Sequence, residues 1–404
     1  MLKNKNHKFK PCIIGLGYVG LPILLKLSKK YKILGYDISK RRVLELKKGY
    51  DIFGEIKKKN LKNKNLTFSY NPGDLIKSNV FIITVPTPIY KSKKPDLTHI
   101  RNVCLKLSKI IKRKDIIIFE STVYPGLTGE LCVKLLESKS SLKNGKDFYV
   151  GYSPERVNPG DKNHNLTNIN KILAYPHSFY KKELINLYSN LGKKIIYTNS
   201  IIEAETAKVI ENIQRDVNIG LINEIYMACE ALNINYKKVY KLASSKWNFL
   251  KFQPGLVGGH CLPVDPYYFS HICTKNNFTT KITLAGRSIN DAMTLNIQKK
   301  IEKILKIKNV KKNKILLCGL TYKKNVADIR NSLALKIFKN LNKKFKYIKG
   351  FDPMIDDLTA KKFKILNSSL RISNYDIYII LTPHDILMKK INKLKNKQIF
   401  HFFK

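Results

Sequence analysis

Apolar residues occur in the first half of the chain as short unbroken runs that end in small or hydroxyl residues. The runs lie at 11–15, 32–37, 79–86 and 115–122, and helical patterns separate them. Strands that lack polar alternation are buried on both faces, which is typical of a parallel sheet covered by helices. The pattern predicts an α/β fold with a ligand crevice at the carboxyl ends of these strands.

The pattern changes between Glu203 and Leu232, where a helical period continues without proline. At about 1.5 Å per residue this helix would be roughly 45 Å long, more than one small domain needs. Strand patterns return at 314–325, 347–353 and 376–384, with a helix from about Ser332. We therefore expect two α/β domains joined by a long helix that offers a face for self-association.

Charge and composition narrow the class of protein. The net charge of the 404-residue chain is +47, but its lysines are spread along the whole length and no segment interleaves basic and aromatic residues. We expect anionic ligands to be favoured and no nucleic-acid partner. No apolar run is long enough to span a bilayer, and the seven cysteines are irregularly spaced. These features predict a cytoplasmic protein with reduced thiols and no membrane partner.

A glycine-rich turn, GLGYVG, follows the first strand and opens a helix. Its first glycine permits a tight turn, its second lets the backbone approach a pyrophosphate, and its third lets helix and strand pack closely. Asp37 ends the next strand, where an acid binds the ribose hydroxyls of NAD; Arg41 and Arg42 leave NADP as an alternative. The cofactor-binding residues predicted around this turn are Gly15, Gly17, Tyr18, Val19, Gly20, Asp37 and Arg42.

Two further strand ends carry candidate residues. TVPTP (84–88) and ESTVYPG (120–126) are either simple strand punctuation or cofactor loops, in which Thr122 could hold a water beside the substrate. In GYSPERVNPGD (151–161), Glu155 is either a solvated acid or a catalytic carboxylate. On the long helix, Lys208 and Asn212 share one face at i and i+4, and could stabilise a developing alkoxide.

Cys261 lies in GLVGGHCLPVDPYY, with no second cysteine close enough to form a zinc knuckle or redox pair. It is either an inert core residue or a lone nucleophile. Gly258 and Gly259 are expected to allow close backbone approach to a ligand, and Asp265 is a candidate proton-handling partner. Beside a nicotinamide, a thiolate that adds to an aldehyde makes a carbon able to lose a second hydride, so one site could oxidise an alcohol to an acid.

The chain resembles the UDP-glucose/GDP-mannose dehydrogenase family, the NAD-dependent nucleotide-sugar 6-dehydrogenases, over nearly its whole length. The shared motifs occur in family order: GLGYVGLP, VPTP, ESTVYPG, SPERVNPGD, AKVIEN, PGLVGGHC, VDP and GLTYKKNVADIRNS. PERVNPGD and the Gly-Gly-His-Cys form, with His260 where UDP-glucose enzymes usually have serine, resemble the UDP-N-acetylglucosamine 6-dehydrogenases of the Vi-antigen and O-antigen type.

The resemblance implies a fold of two Rossmann-like doubly wound domains joined by a long central helix. Residues 1–200 would bind NAD, 201–300 would form a helical dimerisation region with the cysteine loop, and 301–404 would bind the UDP-sugar. It implies a homodimer through the central helix.

The resemblance also implies roles for individual residues. Cys261 would be the nucleophile, Lys208 and Asn212 would stabilise the oxyanion, Asp265 and Thr122 would handle the water, and Glu155 would be the acid/base. The remaining implied cofactor contacts are Thr84, Pro86, Thr87, Ser121, Thr122 and Arg330. The implied substrate contacts are Glu155, Arg156, Asn158, Lys208, Asn212, Gly258 and Lys323.

The function expected from these features is a two-step, NAD-dependent oxidation of carbon 6 of a UDP-N-acetylhexosamine, most closely UDP-N-acetylglucosamine, for surface polysaccharide synthesis. A UDP-glucose 6-dehydrogenase is the alternative within enzymes. Gln253, ILAYPHS (172–178) and the ending QIFHFFK depart from the family pattern. A decayed protein that binds nucleotide sugar without turnover is therefore the alternative outside enzymes.

Overall fold

The computed structural model describes residues 8–52, 56–156, 166, 168–307, 314–345, 347–366, 372–394 and 397–403. They divide into two compact units by chain range. One contains Met1–Glu211 with Tyr267–Asn276, and the other contains Asn212–Pro266 with Asn277–Lys404. Within the described ranges, no helix is both long and apolar enough to cross a bilayer.

In the described part of the first unit, eight short strands form one sheet. They are β1 (Pro11–Ile14), β2 (Ile33–Tyr36), β3 (Leu66–Ser69), β4 (Val80–Ile83), β5 (Ile116–Phe119), β6 (Tyr149–Tyr152), β7 (Lys171–Ala174) and β8 (Ile195–Thr198). Their order is β3-β2-β1-β4-β5-β6-β7-β8. Neighbours are parallel except β6 and β7, which run antiparallel with Tyr152 opposite Ala174.

The second unit contains a smaller parallel sheet. Its strands are β9 (Ile315–Cys318), β10 (Ile348–Phe351), β11 (Ile377–Ile380) and β12 (Gln398–His401). Their order is β10-β9-β11-β12. The central strands β9 and β11 are buried along their whole length, as their unbroken apolar sequences predict. The prediction of two Rossmann-type α/β domains with parallel sheets is confirmed.

The helices cover these sheets and link the units. They are α1 (Gly20–Leu27), α2 (Lys40–Lys47), α3 (Thr98–Leu107), α4 (Lys134–Glu137), α5 (Lys181–Tyr188), α6 (Ile201–Ala231), α7 (Tyr236–Ala243), α8 (Asp265–Lys275), α9 (Lys281–Ile307), α10 (Leu333–Lys344), α11 (Asp357–Phe363) and α12 (Asp385–Ile391). Short 3₁₀ turns span Lys58–Leu61 and Pro72–Lys77, and a π-helical turn spans Thr128–Val133. The long central helix predicted from Glu203 to Leu232 is α6.

Each unit has its own apolar core. In the first, Ile13, Ile82 and Ile118 of the sheet pack with Leu24 of α1 and Leu184 of α5. In the second, strands β9 and β11 pack against α9 and α10 through residues such as Ile297, Leu317, Phe338 and Ile379. Helix α6 runs from the first unit into the second, with the boundary after Glu211. Helix α8 begins in the second unit and continues in the first, with the boundary after Pro266.

Candidate active site

The glycine turn after β1 has the geometry of a phosphate-binding turn. Gly15 has a φ of +100°, a conformation that L side chains rarely adopt. A Cβ on Gly20 would lie 1.9 Å from the Gly15 carbonyl oxygen, so α1 can approach the strand only with glycine here. In the described part of the chain, nothing lies within 4 Å of the Cβ position of Gly17. The backbone at Gly17 therefore faces open space.

The surroundings of this turn fit a dinucleotide. Helix α1 receives no side-chain cap from the described residues and has no acid in its first turn, which leaves its positive end for a phosphate. The carboxylate of Asp37, half-buried at the end of β2, accepts the Leu16 N–H at 2.8 Å. Tyr18 and Val19 are likewise partly exposed. An acid in this position suits the ribose hydroxyls of NAD.

Arg42 supports the turn from within the protein. Its side chain is buried, its Nε donates to the Leu16 carbonyl at 3.0 Å, and its guanidinium forms an ion pair with Asp51 at 2.8 Å. These contacts tie α2 to the turn that carries Leu16. Arg42 therefore holds the shape of the predicted cofactor site through protein contacts.

The loops after β4 and β5 lie at the same edge of the sheet. The Thr84 hydroxyl donates to the Gly15 carbonyl at 2.7 Å, and the Ser121 hydroxyl donates to the Val85 carbonyl at 2.7 Å. Both side chains are buried, whereas Pro86, Thr87 and Thr122 are partly or fully exposed. Thr84 and Ser121 thus fix the loops, and the other three present atoms toward solvent.

Helix α6 holds the turn that follows Thr122. The buried Glu205 carboxylate accepts the N–H groups of Gly126 at 2.6 Å and Thr128 at 3.0 Å. Burial raises the pKa of Glu205 to about 7, against the lowering effect of these hydrogen bonds. Lys208, also buried, lies one turn further along α6, and Asn212 follows at the next turn.

Glu155 and Arg156 follow β6. The Arg156 guanidinium forms an ion pair with Glu211 of α6 at 2.7 Å, and the Arg156 N–H donates to the Glu155 carboxylate at 2.8 Å. Glu155 also lies 3.5 Å from the buried ammonium of Lys171. Asn158, the other predicted substrate contact in this segment, lies outside the described residues.

In the second unit the cysteine loop leads into α8. Cys261 is exposed, and its carbonyl accepts the Asp265 N–H at 2.9 Å in the first helical turn. The Asp265 side chain is buried, and its carboxylate accepts a hydrogen bond from the Asn212 amide at 2.5 Å. The structure thus brings together three predicted residues: Cys261 and Asp265 through the backbone, and Asp265 and Asn212 through their side chains.

The two glycines before the cysteine contact protein atoms. A Cβ on Gly258 would lie 2.6 Å from the Asn331 carbonyl oxygen, and one on Gly259 would lie 2.8 Å from the Tyr322 ring. We expected these glycines to admit a ligand, and that expectation stays a prediction. The described contacts supply a second reason for glycine at both positions, since the loop packs closely on the segment after β9.

His260 and the ADIR segment after β9 form a cluster around the Asp328 carboxylate that sequence reasoning missed. His260 lies 3.4 Å from the Asp328 carboxylate, and Arg330 lies 2.8 Å from it. Burial alone would raise the pKa of Asp328, but the hydrogen bonds from His260 and Arg330 outweigh it and hold the pKa well below its usual range. Lys323 is half-buried in the same segment. No motif spacing in the sequence indicates this pairing.

Comparison with known proteins agrees with this geometry. Models of the UDP-glucose/GDP-mannose dehydrogenase family match three parts of the chain: its NAD binding domain at residues 9–192, its central domain at 202–292 and its UDP binding domain at 316–401. The chain belongs to the UDP-glucose/GDP-mannose dehydrogenase family, and is an NAD-dependent nucleotide-sugar dehydrogenase.

Several similar proteins match this chain over most of its length and of their own. The chain is 42% identical to a UDP-N-acetyl-D-glucosamine 6-dehydrogenase from Salmonella typhi, covering 93% of this chain and 90% of the relative. It is 43% identical to a protein of the same name from Pseudomonas aeruginosa, covering 86% and 83%. A solved UDP-D-ManNAc dehydrogenase from Pyrococcus horikoshii matches with a TM-score of 0.83 at 30% identity, covering 97% of this chain and 94% of that one.

Proposed function

We propose that this protein oxidises carbon 6 of a UDP-N-acetylhexosamine, most closely UDP-N-acetylglucosamine, to the corresponding uronic acid, for use in surface polysaccharide synthesis. Each turnover consumes two NAD and one water. The observation that carries the proposal is the exposed Cys261 in the loop before α8, four residues before a buried Asp265 that binds Asn212. The names of the relatives support the choice of sugar.

Bound NAD would accept the hydride in each of the two oxidations. The protein's own residues supply the rest of the chemistry. The Cys261 thiolate adds to the aldehyde formed in the first oxidation, and the resulting thiohemiacetal becomes a thioester when it is oxidised. Lys208 and the Asn212 amide stabilise negative charge on the reacting oxygen.

Water and protons are handled by carboxylates and a hydroxyl. Asp265 is held by Asn212, and its own N–H is fixed to the Cys261 carbonyl, so its carboxylate is ordered relative to the thiol. Asp265 and Thr122 activate the water that hydrolyses the thioester, and Glu155 acts as acid/base. Arg156, Asn158, Gly258 and Lys323 would contact the substrate, and Arg330 the cofactor.

A substrate panel tests the reaction. Purified protein is incubated with NAD and UDP-N-acetylglucosamine, its galacto epimer or UDP-glucose, while NADH and acid product are both measured. We expect two NADH per acid, with UDP-N-acetylglucosamine turned over fastest. Preference for UDP-glucose would establish the alternative enzyme. Binding of UDP-sugar by folded protein without NADH from any of them would establish a binding protein and refute the proposal.

A second cysteine, Cys273, provides a matched control for the role of Cys261. Cys261→Ser should abolish acid formation, because a hydroxyl is a much weaker nucleophile at neutral pH. Cys273 lies twelve residues later, in α8, and is partly buried, with burial raising the pKa of its thiol. Cys273→Ser should retain turnover. Full acid formation by Cys261→Ser would show that the mechanism is not covalent.

We also propose that the protein forms a homodimer through α6. Ile210 and Leu221 on this helix are 50% and 54% exposed and lie three turns apart on one face, an apolar stripe that a second copy would cover. Light scattering after size exclusion should give the mass of a dimer, and Leu221→Lys should shift it toward the monomer. A monomeric wild-type protein at micromolar concentration would contradict this proposal.

A further inference from the structure

A lysine is buried at the start of β7 in the first unit. Lys171 is 1% exposed, although the strand sequence KILA gives it apolar neighbours. Its ammonium lies 2.6 Å from the Glu120 carboxylate and 3.5 Å from that of Glu155, and 3.5 Å from the Pro154 carbonyl. A buried ammonium persists only where such partners offset its loss of water.

The topology of the sheet explains why Lys171 contacts Glu120 and Glu155. Glu120 directly follows β5, and Glu155 lies three residues after β6, so both are at the carboxyl edge where ligands bind. Strand β7 is antiparallel to β6, with Tyr152 opposite Ala174. Extending this register by three residues places Lys171 opposite Glu155. The antiparallel strand therefore brings a cation to the edge that carries the proposed acid/base.

Burial and ion pairing act in opposite directions on the pKa values of this cluster. Burial raises the pKa of Glu120 to about 7, with Lys171 acting in the opposite direction. Burial would lower the pKa of Lys171, but the two carboxylates outweigh it and raise the pKa, so the lysine carries its charge. Tyr188 of α5 also faces Glu120, and burial followed by that carboxylate raises its pKa. On the other side of Glu155, Arg156 is paired with Glu211 of α6.

We propose that Lys171 is a positioning residue that holds the Glu155 carboxylate in place for its proton transfer, while Glu120 anchors the lysine. The inference rests on the acid/base role proposed for Glu155. The short contact to Glu120 fixes the ammonium, and the longer contact to Glu155 orients that carboxylate more loosely. Glu155 thus remains able to exchange a proton beside a fixed cation.

A neutral double variant separates positioning from folding. Lys171→Met alone leaves Glu120 buried without its cation, which is strongly destabilising. Glu120→Gln/Lys171→Met removes both charges, so the variant should fold. Its kcat should nevertheless fall about 10- to 100-fold, a part of the roughly 100- to 10,000-fold that acid–base catalysis contributes. The loss should appear in kcat more than in the KM for the UDP-sugar, because Lys171 is buried and acts only through Glu155.

Two single variants serve as controls. Glu120→Gln keeps the Lys171 charge beside Glu155 and should retain a kcat well above that of the double variant. Lys171→Arg should recover most of the activity lost in the double variant. A folded double variant with wild-type kcat would show that Lys171 is only a structural partner of Glu120, and would overturn the inference.

A second measurement does not depend on turnover. The Lys171 ammonium is buried and exchanges slowly, so its side-chain resonance is observable in ¹⁵N-lysine-labelled full-length protein. Glu155→Gln should shift this resonance, whereas Arg113→Met, which removes the exposed Arg113–Asp147 pair, should not. If no UDP-sugar gives NADH, the proposed function fails, and this shift still decides whether Lys171 and Glu155 are coupled. An unchanged resonance would refute the coupling.

Discussion

Two glycine turns, one in each unit, follow the first strand of each parallel sheet and are built alike. Gly15 after β1 and Gly319 after β9 have φ values of +100° and +77°. In each unit an aspartate at the end of the next strand accepts the N–H of the residue after the glycine. Asp37 binds Leu16 at 2.8 Å, and Asp352 binds Leu320 at 2.5 Å. The same local solution therefore closes both turns.

The two aspartates differ in what else they contact. Asp352 is 1% exposed and also accepts hydrogen bonds from the Thr321 N–H at 2.9 Å and from His384 at 3.1 Å, whereas Asp37 is half-buried. The acid of the second unit is committed to protein contacts, and that of the first retains a solvent-facing side. Similar turns thus leave an accessible acid for the proposed cofactor contact in the first unit and serve internal order in the second.

Of the substitutions that test this comparison, replacement of Gly319 should have the largest effect on the free energy of unfolding. A Cβ there would lie 2.0 Å from the Thr382 carbonyl oxygen, while one on Gly15 would lie 3.0 Å from the Thr84 carbonyl oxygen. Both positions have positive φ, but only the first also collides with backbone that cannot move cheaply. We expect Gly319→Ala to lower the free energy of unfolding by about 4 kcal/mol or more, and Gly15→Ala by about 1–3 kcal/mol. Urea denaturation, with hydrogen exchange to locate the loss, measures both; equal losses would break the comparison.

Replacement of the two aspartates should also lower the free energy of unfolding more in the second unit than in the first. Asp352→Asn removes a buried charge that accepts two loop N–H groups, and we expect a loss of about 2 kcal/mol in the free energy of unfolding. Asp37→Asn should cost less, because its carboxylate is partly in water. Denaturation of the two variants side by side checks this. A larger loss for Asp37→Asn would contradict the view that Asp352 is the structural acid.

Sequence patterns predicted the central strands of both sheets because those strands are apolar throughout. Strand β7 was missed, since Lys171 at its start looks like a surface residue in the sequence and becomes compatible with burial only when Glu120 and Glu155 meet it. Strand β3, with the mixed sequence LTFS, is too polar to give a clear pattern. Strands β6, β8 and β12 were also not predicted.

The site was predictable where a motif fixes its own geometry. The turn around Gly15 and the neighbouring Asp37 depend on local sequence and one strand pairing. The Asp265–Asn212 contact joins residues 53 positions apart, and no spacing rule predicts it. For Gly258 and Gly259 the sequence indicated a close approach but not its object, since a ligand and the Asn331 backbone require the same absence of a Cβ.

Gly17 should show the functional side of the comparison. In the described residues nothing lies within 4 Å of its Cβ position, so Gly17→Ala should leave the melting temperature nearly unchanged. The added methyl group would lie where the backbone meets a pyrophosphate, and we expect the Kd for NAD to rise about 10-fold. Fluorescence titration with NAD measures this. A lower melting temperature with unchanged NAD affinity would show that the turn is structural in the first unit as well.

The smallest expected effect is a pH dependence that differs between two loops held by carboxylates. The pKa of Glu205, which holds Gly126 and Thr128, is raised by burial to about 7, above its value of 4.5 in an open chain. Because the closed form binds the proton more tightly, stability of this turn is greatest at low pH and decreases as pH rises toward 7 and slightly beyond. Between pH 6 and 8 the protection of these amides should decrease about 10-fold.

The loop held by Asp328 should behave in the opposite way. The pKa of Asp328 is depressed, since its hydrogen bonds from His260 and Arg330 outweigh the effect of burial, so its contribution is complete above pH 3.8 and lost only below it. The Asp328 carboxylate should therefore give no pH dependence between pH 6 and 8 to the protection of the Arg330 N–H, which donates to it at 2.9 Å. Hydrogen exchange corrected for intrinsic rates checks this. Glu205→Gln should make the Gly126 turn equally insensitive. A pH dependence that persists in Glu205→Gln would assign it to another group, because that variant has no proton to lose at this position.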